Sequence, residues 1–310
     1  MSDRLHLAHL INPVQRPGDA ALAEAQPLTF ESMRRAAEQV GSAARIELIT
    51  AQYAEDHPII PDYFVRTPDL ERSAADMHRF TTPRKLPLLR DLLARLFEAT
   101  SAPYLIYTNV DIILHPSFYR EVGARIASGL DAFIINRRRV PDHYRAIADL
   151  PRIYALPGAP HPGFDCFVFH RSLYQAFQLA NVCIGVPFVE MTFSQNLFCH
   201  ARRVALFEHD RLTYHLGMEI FKKRDPEYVA YNKAEFWHAM RLLEPHLDSR
   251  RFPWGDRNVI YRMWRWGLHP AIPISLALQL EPRRWRAAAH RIARQPRGES
   301  RPRRGNNARS

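Results

Sequence analysis

The sequence predicts an α/β fold, with a mostly parallel central sheet flanked by helices and followed by a basic helical tail. Three observations predict it. Between residues 5 and 207, short apolar runs alternate with segments of helical spacing, the order that builds a parallel sheet with crossover helices. One run, Pro103–Asp111 (PYLIYTNVD), is continuously apolar before it ends in polar residues, as a strand buried on both faces does. Positive charge, finally, is segregated: residues 250–310 hold fifteen arginines and no lysine against Asp256, Glu281 and Glu299, a net of +12.

In chain order, Leu5–Ile11 reads as the first strand, closed by Asn12-Pro13, and Arg16–Pro27 as a loop. Thr29 is placed to cap a helix that carries Phe30, Met33, Ala37 and Val40 on one face and stops at Gly41. Arg45–Thr50 is the second strand, and the polar, Pro- and Asp-rich stretch Ala54–Thr82 an irregular excursion. Leu86, Leu89, Leu92, Leu93 and Leu96 predict a helix over Lys85–Glu98, with Pro87 in its first turn. After the Pro103–Asp111 strand come a helix over Pro116–Ala127 and a strand over Asp131–Asn136. Strands Phe164–Phe169 and Arg203–Phe207, with a helix near Pro187–Phe198 between them, complete the set.

The formal net charge of +11 belongs to the tail, because residues 1–249 carry 28 bases and 29 acids, a net of −1. The chain therefore divides into a body over residues 1–249, a basic aromatic-rich helical extension over 250–294 and a disordered tail over 295–310 rich in Pro, Arg, Gly and Asn. Several chemistries are excluded by inspection. No G-x-G occurs, which removes the Gly-rich dinucleotide and phosphate cradles, and neither G-x-S-x-G nor H-E-x-x-H is present. Three cysteines without a C-x-x-C pair argue against a disulfide framework and a structural zinc site. The N-terminus has no apolar signal core, and the apolar stretch Pro270–Leu280 falls short of the roughly 20 residues that span a bilayer. The expectation is a cytoplasmic protein, at most peripheral to a membrane.

Ligands of open α/β sheets bind outside the carboxyl ends of the strands. Asn12, Gln52, Asn109, Asp111 and Asp165 fall at such positions. Asn109 and Asp111 stand at i, i+2, which on extended chain points both oxygens to one side. A hard divalent cation, Mg²⁺ or Mn²⁺, takes such oxygens together with substrate phosphates. Asp111 also has a plainer reading, as the cap of the turn that follows.

Tyr107-Thr108-Asn109-Val110-Asp111 resembles a D-x-D variant of the GT-A glycosyltransferases, the nucleotide-diphospho-sugar transferases. The wider set HLINP, AQPLTFESM, PRKLPLL, YLIYTNVDI, HPGFDCFVF, NVCIGVPF and TYHLG is similar to a family-2-like group of that fold over roughly residues 5–220. The resemblance implies that Asp111 bridges a metal ion to the donor diphosphate and that the nucleotide lies near the first two strand ends, by Asn12 and Gln52. Asn109 departs from the pattern, being neutral where an acid is usual. His215, in Tyr214-His215-Leu216-Gly217, falls where such enzymes place a late metal ligand; a hydrogen-bonded structural histidine is the other reading. Arg84 and Lys85, at the start of a helix, would meet the diphosphate, or form a solvated basic pair. An inverting transferase needs a carboxylate to deprotonate the acceptor hydroxyl, and Glu190 and Asp165 are the candidates. Glu190 is equally a first-turn carboxylate favoured by the helix dipole, and Asp165 a group that orients the acceptor.

In the extension, Tyr261, Trp264 and Trp266 interleave with Arg262 and Arg265, and Arg283–Arg294 sets Trp285, Ala288, Ala289 and Ile292 on one helical face. Three readings follow: the aromatics pack onto the body, residues 255–294 meet an anionic membrane surface near the acceptor, or the arginines bind nucleic acid, in that order of preference. The expected function is sugar transfer from a nucleotide-diphosphate donor to an acceptor hydroxyl with a divalent cation. The alternative is a non-catalytic protein of the same fold that binds a membrane or nucleic acid through its tail. Nucleotidyl transfer is disfavoured because no Gly-rich loop follows the first strand.

Overall fold

A computed structural model describes residues 4–15, 20–217, 225–269 and 272–294. The elements are β1 (Leu5–Ile11), α1 (Ala20–Val40), β2 (Ala44–Thr50), β3 (Val65–Arg66), α2 (Ala74–Met77), α3 (Leu89–Ala99), β4 (Tyr104–Thr108) and β5 (Ile112–Leu114). They continue as α4 (Phe118–Ala127), β6 (Ala132–Val140), α5 (Leu150–Ala155), β7 (Ala159–His170), α6 (Val189–His200), β8 (Val204–Phe207) and β9 (Thr213–Leu216). The chain closes with α7 (Pro226–Leu243), α8 (Val259–Leu268) and α9 (Ile274–Arg294).

The strands form one sheet in the order β3-β2-β1-β4-β7-β6-β9-β5, with β8 beside β6. Five pairings are parallel (β1–β2, β1–β4, β2–β3, β6–β8, β6–β9), while β7 runs against both β4 and β6 and β5 against β9. Alternate residues of each central strand serve opposite layers. Leu7, Ile106, Val168 and Phe133 face Phe30 and Met33 of α1 and Phe118 and Val122 of α4. Ala8, Leu105, Phe167 and Ile134 face leucines of α3, Phe193 and Leu197 of α6, and Phe236 of α7.

The long strand β6 is divided. Residues 132–135 pair with β8 along one edge, and residues 138–140 pair with β9 along that same edge. Its register with β7 shifts on both sides of Asn136, a bulge that bends the strand. The small β5–β9 unit is therefore set off from the main sheet at Asn136.

Several boundaries differ from the sequence reading. α1 begins at Ala20, nine residues before Thr29, because the alanine-rich stretch before Pro27 has high helix propensity. The Lys85–Glu98 helix starts only at Leu89. Pro87 disfavours helical backbone at Leu86, and residues 86–88 stay outside the helix: Leu88 bridges Cys183, and the Leu89 amide donates to the Val182 carbonyl at 2.9 Å. Arg84 and Lys85 are thus not at a helix start. β4 ends at Thr108, so Asn109–Asp111 is a turn, with the Ile112 amide 3.3 Å from the Asn109 carbonyl, rather than extended chain.

The C-terminal helices pack onto the layer that holds α3, α6 and α7. Trp266 is fully buried there with Phe252, Ile272, Leu276 and Leu280. Between α8 and α9 the Arg262 guanidinium grips Glu281 at 2.6 and 3.1 Å, both side chains being more than nine-tenths buried. Burial resists the Glu281 charge, but the bonds from Arg262 and Trp285 outweigh it and hold its pKa below the usual glutamate range. Arg262→Met, which strands that carboxylate, is expected to cost about 3 kcal/mol in a urea melt, and Arg262→Met with Glu281→Leu to recover most of it. Equal losses in the single and double variants would show that the pair does not tie the helices together. The tail expected over residues 295–310 lies outside the described residues, among which no helix is long and apolar enough to cross a membrane.

Candidate active site

The carboxyl ends of β2, β1 and β4 form one rim, since Ile11 pairs with Thr50 and Leu10 with Tyr107. Asn12 follows β1 and ties the rim together, its Nδ2 donating to the Ala51 carbonyl at 2.6 Å. Gln52 is buried, with its amide committed inside the protein: Oε1 accepts from Thr50 Oγ1 at 2.8 Å, and Nε2 donates to the Thr67 carbonyl and to Asp69 Oδ1. Gln52 therefore shapes the loop after β2. Lys85 reaches the same loop, bonding Glu55 at 2.7 Å and lying 4.1 Å over the Tyr53 ring. Arg84 turns the other way, its guanidinium 5.3 Å over the Tyr228 ring on α7.

Asp111 is positioned by strand pairing. β5 runs against β9 with Ile112 opposite His215, which brings the residue before Ile112 onto the imidazole. His215 Nε2 lies 3.1 Å from Asp111 Oδ2, across 104 residues of sequence. Crowding by protein opposes the Asp111 charge, yet His215 and then Arg137 more than offset it, so its pKa falls below the aspartate range. Asp111 is an ionised carboxylate, about a third exposed.

Beside it lies a second carboxylate of opposite tendency. Asp165, on β7, is 2 % exposed and pairs with Arg137 Nη1. Burial pushes its pKa up, and the nearby Asp111 charge adds to that, while Arg137 and His215 pull against them. Two acids held apart in this way are a common arrangement of acid–base sites. Asn109 bridges toward Asp165, with Nδ2 at 3.5 Å from Oδ1, while its own Oδ1 accepts from the Tyr107 hydroxyl at 3.3 Å. Arg137 also meets His161 at 3.3 Å, and burial followed by Arg137 lowers the His161 pKa to about 3, leaving that imidazole neutral.

Glu190 enters the same group from α6. Tyr107 is fully buried at the end of β4; burial first, then the charges of Glu190, Asp111 and Asp165, raise its pKa above the tyrosine range. One phenol thus feels all three acids. Glu190 sits in the first turn of α6, whose N-cap residue, Phe188, takes left-handed backbone at φ +83°. A bulky residue there is strained, and such strain gathers at functional sites.

Asp111 and His215 fit a divalent cation as two of its ligands. Asp111 Oδ1 is buried without a protein partner, and Asp111 meets His215 through Oδ2 and Nε2. Among the described residues no group of three or more His, Cys, Asp or Glu can hold a metal, so the remaining ligands of a cation at Asp111 must come from substrate oxygens and water. A cavity of about 730 Å³ opens elsewhere, between α1 and Ile59–Tyr63; Val14, Pro27 and Phe30 line it, and none of the three acids does.

The structure thus gathers Asn109, Asp111, Asp165, Glu190 and His215, and places Asn12, Gln52 and Lys85 along the adjoining rim, with Arg84 turned onto the Tyr228 ring of α7. Sequence reasoning missed Arg137. Arg137 opens an arginine triplet where the apolar strand pattern stops, and the signal available was that β6 continues through it to Val140.

No family model matches the chain, and no curated protein matches it by sequence. Solved structures do. The Staphylococcus aureus TarS 1–349 structure in complex with UDP-GlcNAc aligns over 93% of this chain and 92% of its own, at 10% identity and a TM-score of 0.44. Glucosyl-3-phosphoglycerate synthase from Mycobacterium tuberculosis, in complex with Mn²⁺, UDP and phosphoglyceric acid, aligns over 80% of this chain and 81% of its own, at 14% identity and a TM-score of 0.46.

Proposed function

We propose that this protein transfers a sugar from a nucleotide-diphosphate donor to an acceptor hydroxyl at the Asp111 centre. The observation that carries the reading is the joining of Asp111 to His215 across β5–β9, beside the buried Asp165 and its Arg137 partner, at the carboxyl rim of an α/β sheet. Asp111 and His215, which meet through Oδ2 and Nε2, are the residues that would hold a divalent cation. Mn²⁺ or Mg²⁺ held there would neutralise charge on the departing diphosphate. Asp111 is suited to this because it stays ionised.

The two candidate bases separate on burial. Asp165 is enclosed and fastened to Arg137, which makes it a positioning group: it holds Arg137 and Asn109 at the rim. Glu190 is only partly buried and stands on a helix start. It is the group placed to take the proton from an acceptor hydroxyl. Arg137 supplies positive charge beside Asp111, where a diphosphate gathers negative charge. Asn12 and Lys85 line the nucleotide side.

Isothermal titration with UDP-, GDP- and dTDP-sugars, each with and without Mn²⁺, tests the reading. One donor is expected to bind at least about tenfold more tightly with Mn²⁺ present. If none of the three binds in either condition, the centre is not a nucleotide-sugar site.

A further inference from the structure

Exposed large apolar side chains are unevenly spread over this protein. Of thirteen among the described residues, eight lie between Val259 and Trp285. On α8 the exposed residues Ile260, Trp264 and Leu268 recur every fourth position, which places them on one helical face. On α9, Ile274, Leu278 and Trp285 are likewise exposed. All six are at least 56% exposed, although both helices already bury another apolar face through Trp266, Leu276 and Leu280. The two helices are thus apolar on a covered side and on an open one.

The Arg262–Glu281 pair joins the two helices on their covered side. Trp285 Nε1 donates to the same Glu281 carboxylate at 3.1 Å, which sets that exposed indole beside α8. Cations border the apolar surface. Arg286 is exposed and, with Arg284, flanks Trp285 in sequence, while Arg257 pairs with Asp256 and Arg283 with Glu244. The sequence from 287 to 310 adds seven more arginines against the single acid Glu299.

We propose that the exposed apolar faces of α8 and α9 dock on an anionic lipid bilayer. Tryptophan at the headgroup boundary, aliphatic side chains below it and arginines on anionic headgroups match each class of residue present. A second copy of the chain fits poorly, because its arginines would meet their own kind. Nucleic acid would answer the arginines and leave Ile260, Leu268, Ile274 and Leu278 without a partner. The proposal does not depend on the reading of the Asp111 centre.

Co-sedimentation of the full chain with phosphatidylcholine vesicles, with and without phosphatidylglycerol, tests it. Binding is expected only with the anionic lipid, with a blue shift of tryptophan fluorescence. The triple variant Ile260→Ser, Trp264→Ser, Leu278→Ser should bind at least about tenfold more weakly, with circular dichroism and thermal midpoint unchanged. Absence of binding to anionic vesicles, or equal binding by the variant, overturns the proposal. So does a dimer in sedimentation velocity that the variant dissolves, or tighter binding to single-stranded RNA than to the vesicles.

Discussion

Asp111→Asn is expected to lower the transfer rate by about a thousandfold or more and to abolish the effect of Mn²⁺ on donor binding. The substitution keeps the size of the side chain and an oxygen that His215 can bond, and removes the charge. A loss of that size is about 4 kcal/mol of transition-state stabilisation, within the range for deleting one preorganised electrostatic partner of a developing anion. Because the side chain is partly exposed and small, the variant should melt within a few degrees of the parent. Steady-state rates with and without Mn²⁺, beside a thermal melt, provide the check. A variant that kept its Mn²⁺ response would move the metal away from Asp111 and leave the His215 contact a structural one.

Glu190→Gln is expected to reduce kcat by about a thousandfold while donor affinity stays within about twofold. The amide fills the same space at the start of α6 but accepts no proton. Asp165→Asn acts differently. It removes the charge that pairs with Arg137, so donor affinity should fall along with the rate. Measuring Kd by titration and kcat by product release separates the two positions. Near-parental kcat in Glu190→Gln, with kcat lost and Kd kept in Asp165→Asn, would assign the base to Asp165.

The sequence was most legible where strands are buried on both faces. β1 spans Leu5–Ile11 as its apolar run indicates, and β4 follows the run that begins at Pro103, because continuous burial leaves no competing pattern. It was least legible where an element is short or interrupted. β5 and β9 have three and four residues, too few for a period, and they hold together through each other and β6. Asn109 and Asp111 were found for their place after a strand, although the backbone there turns. That His215 lies against Asp111 is a property of β5–β9 pairing, and no local spacing encodes a contact between positions so far apart. Glu190 was legible as a helix-start acid, but its nearness to Tyr107 comes from the packing of α6 on β4. Arg84 and Lys85 were read as a helix start, a reading undone by the prolines around them.

The bulge at Asn136 has a geometric consequence for chemistry. Asp111 and His215 belong to the small unit beyond the bulge. Glu190 and Asp165 belong to the main sheet and the helix laid on it. On the proposed reading, the separation between the leaving-group side and the acceptor side is measured across a seam in one strand. Shortening or lengthening that seam by a residue would rescale the gap a substrate must span and would also turn Arg137 away from Asp165. Acceptor reach in this architecture is therefore coupled, through the backbone of β6, to the Arg137–Asp165 pair.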